Sequence, residues 1–271
     1  MKQIFSLFYC LYFLINLHAQ IPISVASWNL ENLGKSKTDS VIEFIANTIK
    51  DYDIVAIQEV VAGYGGSQAV AKLSDALNRK GSKWDYTISD PTSSNNSYKI
   101  ERYAFIWKTS KLKKMGDAWL EKQYSIEIDR EPFFATFKSM DNVFTLVTFH
   151  AITKAKQPET EIKYFKFLPA EYPNLNLIFC GDFNCPQSHT VFNPLKAMGY
   201  KPIFTGQKTS LKQNCINNDC LASEFDNAFY NKSKVNLLKS GIINFHASFI
   251  DLKSARKVSD HVPIFFQFSL N

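Results

Sequence analysis

The chain has 271 residues, of which 45% are hydrophobic and 21% charged, with 31 Lys and Arg against 25 Asp and Glu. This composition excludes a disordered chain, and the length allows one large domain or two small ones with a substantial core. The net charge of +6 suits a polyanionic partner without specifying one.

The first segment reads as a secretory signal peptide, residues 1–20. Lys2 gives a basic start, 4–17 is mostly apolar, and His18-Ala19-Gln20 ends the run. The run is shorter than the roughly 20 apolar residues of a membrane span. A buried strand or an uncleaved anchor is the competing reading. Tyr9 ahead of Cys10 argues against lipidation. Removing residues 1–20 removes Lys2 and no acid, so +6 becomes +5. The expectation is a secreted or periplasmic monomer, residues 21–271, with no stable membrane association after cleavage.

Next comes a β-rich run at 23–28. Val41, Ile42, Ile45 and Ile49 recur at helical spacing behind a cap at Thr38 or Asp39. An apolar strand at 53–57 follows, then a glycine turn at 63–66 and a helix to about Leu77. The middle of the chain reads as strands at 86–89, 103–108, 111–119, 133–138 and 143–150, with a polar loop at 90–97. A helix is expected from Pro158 or Glu159 to about Phe167, then a buried strand at 175–180 and further strands near 225–230 and 262–268. No repeat or long linker interrupts this order. The pattern is that of one compact α/β domain.

Metal- and proton-handling residues recur where these strands end or begin. Asn29 follows the first strand, Glu59 the second, and His150 the strand at 143–150. Asp182 and Asn184 follow the strand at 175–180, and Asp260-His261 precedes the last. Strand ends are where sites assemble in layered α/β folds. Each residue alone has a structural explanation: Asn29 and Asn184 as turn formers, His150 as a core histidine, Asp260 as a turn cap. Together they permit coherent chemistry. Oxygen ligands from Glu59, Asn29, Asp260 and Asp182 suit Mg²⁺, Mn²⁺ or Ca²⁺. Two histidines steadied by carboxylates can activate a water and protonate a leaving group. Cys180, Cys185, Cys215 and Cys220 remain after cleavage, an even count that permits disulfides in an exported protein. Zinc is the rival reading, but Cys180 ends an apolar run that buries its sulfur.

Trp28-Asn29, Gln58-Glu59, Gly181-Asp182-Phe183-Asn184 and Ser259-Asp260-His261, in this order, resemble the endonuclease/exonuclease/phosphatase superfamily. Three further pieces resemble its DNase I branch: residues 29–34, the loop 96–103 with one extra residue at Ile100, and Arg130-Glu131-Pro132. The resemblance covers about 24–268. It implies a four-layer α/β sandwich, two packed mixed sheets flanked by helices. It also implies a DNA endonuclease leaving 5′-phosphates with Mg²⁺ or Mn²⁺, and a structural Ca²⁺ as a further expectation. On that resemblance Glu59 holds the metal with Asn29 and Asp260 beside it. His150 is the general acid oriented by Glu101, and His261 the general base oriented by Asp226. Asp182 and Asn184 position water, metal and phosphate; Arg130 binds a phosphate; Asn96 and Tyr98 contact the DNA backbone.

Two departures bear on substrate. The family places arginines where this chain has Glu31 and Val61, which predicts weaker duplex binding. RNA, a small phosphodiester or a phospholipid headgroup is therefore the alternative substrate, and a non-catalytic binding protein of the same fold the third reading. The family disulfide has Cys185 and Cys220 as its nearest matches, with Cys215–Cys220 also open.

Overall fold

Alternation along the first strand, β1 (Ile23–Leu33), sends its side chains into two different layers. Val25 enters one apolar cluster, while Ala26 and Trp28 enter another on the opposite face. The computed structural model describes residues 22–94, 96 and 99–271. The expected signal peptide, residues 1–20, and Tyr98 lie outside the described residues.

The chain continues through α1 (Asp39–Ile49), β2 (Ile54–Val61), α2 (Tyr64–Asn78), β3 (Trp84–Ile88) and β4 (Glu101–Lys108). The second half lays down β5 (Lys113–Leu120), β6 (Phe133–Ser139), β7 (Asn142–His150), α3 (Glu159–Ile162), α4 (Leu168–Glu171) and β8 (Leu177–Asp182). It ends with α5 (Asn193–Ala197), β9 (Tyr200–Pro202), the hairpin β10 (Leu211–Ile216) and β11 (Asp219–Leu221), β12 (Asp226–Asn231), β13 (Val235–Ile242), α6 (Leu252–Ala255) and β14 (Ile264–Leu270).

Two six-stranded mixed sheets result, ordered β13-β14-β1-β2-β4-β3 and β5-β6-β7-β8-β12-β9. Each has one parallel pair at its centre, β1 with β2 and β7 with β8, and antiparallel neighbours elsewhere. Between the sheets Val25, Ile54, Phe105, Phe133, Phe144 and Ile178 form the central core. Ile42, Ile45, Val70 and Leu73 of α1 and α2 cover the outer face of the first sheet. Ile162, Phe165, Leu168, Phe192 and Leu195 cover the second. The architecture is the expected four-layer sandwich. One buried polar link crosses the middle: Gln58 Nε2 donates to Ser27 Oγ at 3.1 Å and to Thr148 Oγ1 of the facing sheet at 2.7 Å.

The expected helix to about Phe167 breaks instead into α3 and α4. Between them Tyr164, Phe165 and Phe167 close three-residue turns, their amides bonded to Glu161, Ile162 and Tyr164. This tighter winding seats Phe165 among Phe149, Phe179 and Phe183. Tertiary packing of one aromatic has overridden helix propensity.

The disulfide expectation from family resemblance is also corrected. Cys220 pairs with Cys215 across the β10–β11 hairpin, not with Cys185. Cys180 and Cys185 are free thiols, both buried, and burial pushes them up to about 12 and about 11. No helix among the described residues is long and apolar enough to cross a membrane.

Candidate active site

Both parallel pairs deliver their C-terminal ends to one cleft, and the antiparallel neighbours start there. His150 at the end of β7 is level with Asp182 at the end of β8, and Asp182 with Asp226 at the start of β12. In the other sheet Val61, just past Glu59, is level with Glu101 at the start of β4. The strands bend at this edge. The β1–β2 register shifts between Asn29 and Leu33, and that of β2 with β4 between Ile57 and Val60. Glu31, Asn32 and Glu59 take positive φ of 41°, 61° and 58°. Bulges of this kind re-aim side chains next to sites.

Two histidine–carboxylate dyads result. His150 Nδ1 lies 2.9 and 3.1 Å from the two Glu101 oxygens. His261 Nδ1 lies 2.7 Å from Asp226 Oδ2. Each imidazole then turns Nε2 toward Asp182 Oδ2, at 3.5 Å from His150 and 3.6 Å from His261. Glu59 Oε1 stands 3.7 Å from His150 Nε2, and Asp260 Oδ1 stands 3.9 Å from His261 Nε2. Asn184 places its backbone N–H on Asp182 Oδ1 at 2.9 Å and its side-chain amide on the Ala151 carbonyl at 3.0 Å. The turn that does this needs Gly181. Its φ is 138°, and a Cβ there would run into the Phe149 carbonyl.

Two expected residues stand differently from a simple ligand list. Asn29 donates Nδ2 to Glu59 Oε1 at 2.9 Å and to Asp182 Oδ2 at 3.2 Å, while its Oδ1 accepts from Glu31 N–H at 3.0 Å. A backbone N–H fixes which end is oxygen, so Asn29 holds the acids by hydrogen bonds and offers them no oxygen. Arg130, expected at a phosphate, is buried behind Glu101. Its Nη1 pairs with Glu101 Oε2 at 3.1 Å and its Nη2 donates to the Ala151 carbonyl. It still lines a cavity of about 400 Å³ shared with His150 and Glu59. Asn96 lies on the adjoining loop, its N–H on Ser94 Oγ at 3.2 Å.

The fields at the two imidazoles differ. Burial, with the Arg130 charge, lowers His150 to about 4. Burial raises Glu101 to about 7 against the pull of Arg130. His261 is also buried, but Asp226, Asp182 and Asp260 outweigh desolvation and hold it well above the ordinary imidazole range. Burial raises Asp182 as well. This field favours a proton on His261 and disfavours one on His150.

The donor set fits a hard divalent cation. Glu59 and Asp260 present carboxylates to a cleft of about 670 Å³, and such oxygens suit Mg²⁺ or Mn²⁺. Asp182, Asp226 and His261 also offer ligand atoms within 4.8 Å of one another. The short bond between His261 and Asp226 already uses that dyad, so Glu59 and Asp260 are the better pair.

Several supporting residues were assigned no role from sequence: Ser259 and Tyr103 fell inside resembling segments, while Thr209 and Lys37 had no signal beyond ordinary polar spacing. Thr209 Oγ1 accepts the Asp226 N–H at 2.8 Å and so sets the second dyad. Ser259 Oγ donates to the Asn29 carbonyl at 2.6 Å and accepts the His261 N–H at 2.9 Å. Tyr103 Oη accepts the His150 N–H at 3.2 Å. Lys37, nearly buried, donates to the carbonyls of Val258 and Lys257 at 2.8 and 3.3 Å, anchoring the approach to Asp260.

Comparison with known proteins identifies the family and the fold. The model of the endonuclease/exonuclease/phosphatase family matches residues 26–261. A deoxyribonuclease of Thioalkalivibrio sp. is 27% identical over 93% of this chain and 73% of its own length. Deoxyribonuclease-1 of Bos taurus is 25% identical over 90% of this chain and 91% of its own. A family protein from Bacteroides thetaiotaomicron superposes with a TM-score of 0.64, covering 93% of this chain and 99% of its own at 19% identity, which bears on fold alone.

Proposed function

The chain belongs to the endonuclease/exonuclease/phosphatase family, and from that premise we propose that it is an exported, metal-dependent phosphodiesterase that cuts DNA internally and leaves 5′-phosphate ends. The observation that carries this reading is the pair of histidine–carboxylate dyads meeting at Asp182, with Glu59 and Asp260 on either flank. Deoxyribonuclease relatives support DNA as the substrate class. The apolar run at 4–17 supports export.

Glu59 and Asp260 would hold Mg²⁺ or Mn²⁺, with Asn29 fixing the Glu59 carboxylate. When bound, the ion supplies charge neutralisation at a phosphoryl oxygen. Asp182 and Asn184 position the attacking water and the scissile phosphate between the imidazoles. In the family assignment His150, held by Glu101, protonates the leaving oxygen, and His261, held by Asp226, takes the proton from water. The surrounding charges lean toward the converse, because they favour a proton on His261 and disfavour one on His150. Arg130 steadies Glu101 and faces a phosphate at the cavity it lines, while Asn96 and Tyr98 meet the backbone. A structural Ca²⁺ and a monomeric state complete the proposal.

The test is nicking of supercoiled plasmid by the purified protein in Mg²⁺ with Ca²⁺, or in EDTA, beside His150→Ala. Metal-dependent nicking that is lost in the variant supports the reading. Preference for RNA, a small phosphodiester or a phospholipid headgroup keeps the chemistry and changes the substrate. An inert protein on every ester sinks the enzyme and leaves a binding protein of this fold.

A further inference from the structure

The cations around the cleft divide into those already paired and those left over. Lys212 pairs with Asp219 at 2.8 Å, Arg256 with Asp260 at 3.5 Å and Arg130 with Glu101 at 3.1 Å. Lys154, on the main cleft wall, and Lys156, two residues on, pair with no acid among the described residues.

Lys156 instead faces another lysine. A cavity of about 310 Å³ adjoins the one that holds His150, Glu59 and Arg130, and Lys99 lines both. Lys156 lines the first as well and comes within hydrogen-bond reach of Lys99. Burial lowers the Lys99 ammonium below the usual lysine range, and the neighbouring Lys156 adds to this. Two ammonium groups so placed repel. The acids on the same walls leave them short of countercharge. Glu161 accepts the Asp129 N–H on one oxygen at 2.7 Å and the Ile152 N–H on the other at 2.9 Å. Asp129 accepts from Ser94 Oγ at 2.9 Å and stands 3.8 Å from Lys99, beyond hydrogen-bond range. Glu127 is exposed on the rim. An anion between the two ammonium groups turns their repulsion into attraction.

The backbone that carries the pair is fixed. Glu161 is buried, and its two bonds tie the segment before Arg130 to the segment after His150. From there residues Lys154–Lys156 wind into a 3-10 turn that Gln157 ends at φ 61°. The Lys156 N–H bonds the Thr153 carbonyl at 2.8 Å, and the Lys99 N–H bonds the Asn96 carbonyl at 2.8 Å. Little ordering of the main chain is left for a ligand to impose.

We propose that Lys99 and Lys156 bind a second phosphate of the substrate, adjacent along the strand to the one at the dyads, so that the site is built for a polynucleotide and not for a small diester. The proposal rests on the phosphodiesterase reading above. It also offsets the absence of arginines at Glu31 and Val61: cations missing from the first sheet's side of the cleft are supplied by the turn after β7 and the loop before β4. Lysine meets a phosphate as a point charge, and such a contact positions the strand without reading its bases.

The test is steady-state kinetics of the full chain on plasmid and on bis(p-nitrophenyl) phosphate, in Mg²⁺ at about 50 to 200 mM salt. The variants are Lys156→Gln, the double variant Lys99→Gln/Lys156→Gln, Lys156→Arg and, as a control for net charge, Lys50→Gln. Lys50 follows α1 and precedes the start of β2, whose other end reaches the cleft. KM for plasmid should rise about 3- to 10-fold in Lys156→Gln with kcat within about twofold, and the log–log salt dependence of kcat/KM should flatten by about 0.9 per lysine removed. The preference for plasmid over the small diester should fall by the same factor, and Lys156→Arg should recover most of it, because the charge is kept. A double variant whose salt dependence and preference match those of Lys50→Gln overturns the inference and leaves the phosphodiesterase reading intact. So does a parent that turns over the small diester but not plasmid. A parent inert on both esters overturns that reading and the inference with it.

Discussion

His150 and His261 turn their Nε2 atoms to the same oxygen, Asp182 Oδ2, from 3.5 and 3.6 Å. One imidazole comes from the end of β7 and the other from the segment before β14, in different sheets. Asp182 is thus the point where the two halves of the sandwich share a proton-bearing network, and each histidine is backed by a carboxylate of the opposite sheet, His150 by Glu101 of β4 and His261 by Asp226 of β12.

The backing carboxylates should matter for rate more than for folding. Asp226→Asn keeps the shape but no longer fixes the tautomer of His261. Nicking should fall about 10²- to 10⁴-fold, and below neutral pH the urea midpoint should fall too, because Asp226 leads the charges that raise His261. Glu101→Gln should act similarly on His150, with the added effect of leaving the buried Arg130 without its partner. A variant within threefold of the parent rate would remove that dyad from the mechanism.

Stability in EDTA should depend on pH through His261 and not through the first dyad. His261 is raised in the folded chain, so its contribution is fully present below the unfolded value of about 6.5 and is lost as pH rises through the folded value. The Glu101–His150 pair behaves differently. Between about 4.5 and 6.5 the folded pair holds its proton on Glu101 and the unfolded chain holds it on His150. The proton count is equal, so no slope arises. Urea midpoints measured from pH 6 upward should therefore fall, and His261→Gln should flatten the fall. An undiminished slope in His261→Gln would place the titrating group elsewhere.

How much of this was legible in the sequence follows from what each signal measures. Apolar runs and helical spacing located ten of the strands and the first two helices because they report which face is buried, but not β9, β10, β11 and β13, which carry few buried residues. The strand-end positions of Glu59, His150, Asp182 and His261 were legible for the same reason: each follows or precedes an apolar run. Family resemblance, not periodicity, supplied the sandwich and the partners Glu101 and Asp226. The orientation of Asn29 was not legible, because it depends on a backbone N–H two residues on. Nor was the break after α3, since it depends on where Phe165 finds aromatic neighbours. Lys37 reads as an ordinary surface lysine until the segment after α6 supplies the Lys257 and Val258 carbonyls.

Gly181 should be intolerant of any side chain. At φ 138° an L-residue is strained, and the Cβ of alanine would meet the Phe149 carbonyl on the neighbouring parallel strand. Gly181→Ala should cost about 2–4 kcal/mol by urea unfolding. The displaced strand end carries Asp182, so activity should fall beyond what the folded fraction explains. A midpoint within experimental scatter of the parent would mean the turn relaxes without strain.

The Cys215–Cys220 bridge makes a final, separable prediction. It spans a sequence separation of only 5 and closes the tip of the β10–β11 hairpin. A loop that short yields about 2 kcal/mol of chain-entropy stabilisation, less than a long-range bridge to Cys185 would. The other end of the same hairpin brings Ser210, Leu211, Lys212 and Gln213 to the cleft wall, with Ser210 bridged to His261. Lys212 is held by Asp219 at 2.8 Å across the hairpin. Replacing both cysteines by serine should lower stability by about that modest amount. It should also raise KM for plasmid more than it lowers kcat, because what loosens is a substrate-facing wall and neither dyad moves. Adding a reductant to the parent should reproduce the KM change and leave the double variant unaffected. A fall in kcat at constant KM would instead tie the hairpin to Thr209 and through it to Asp226.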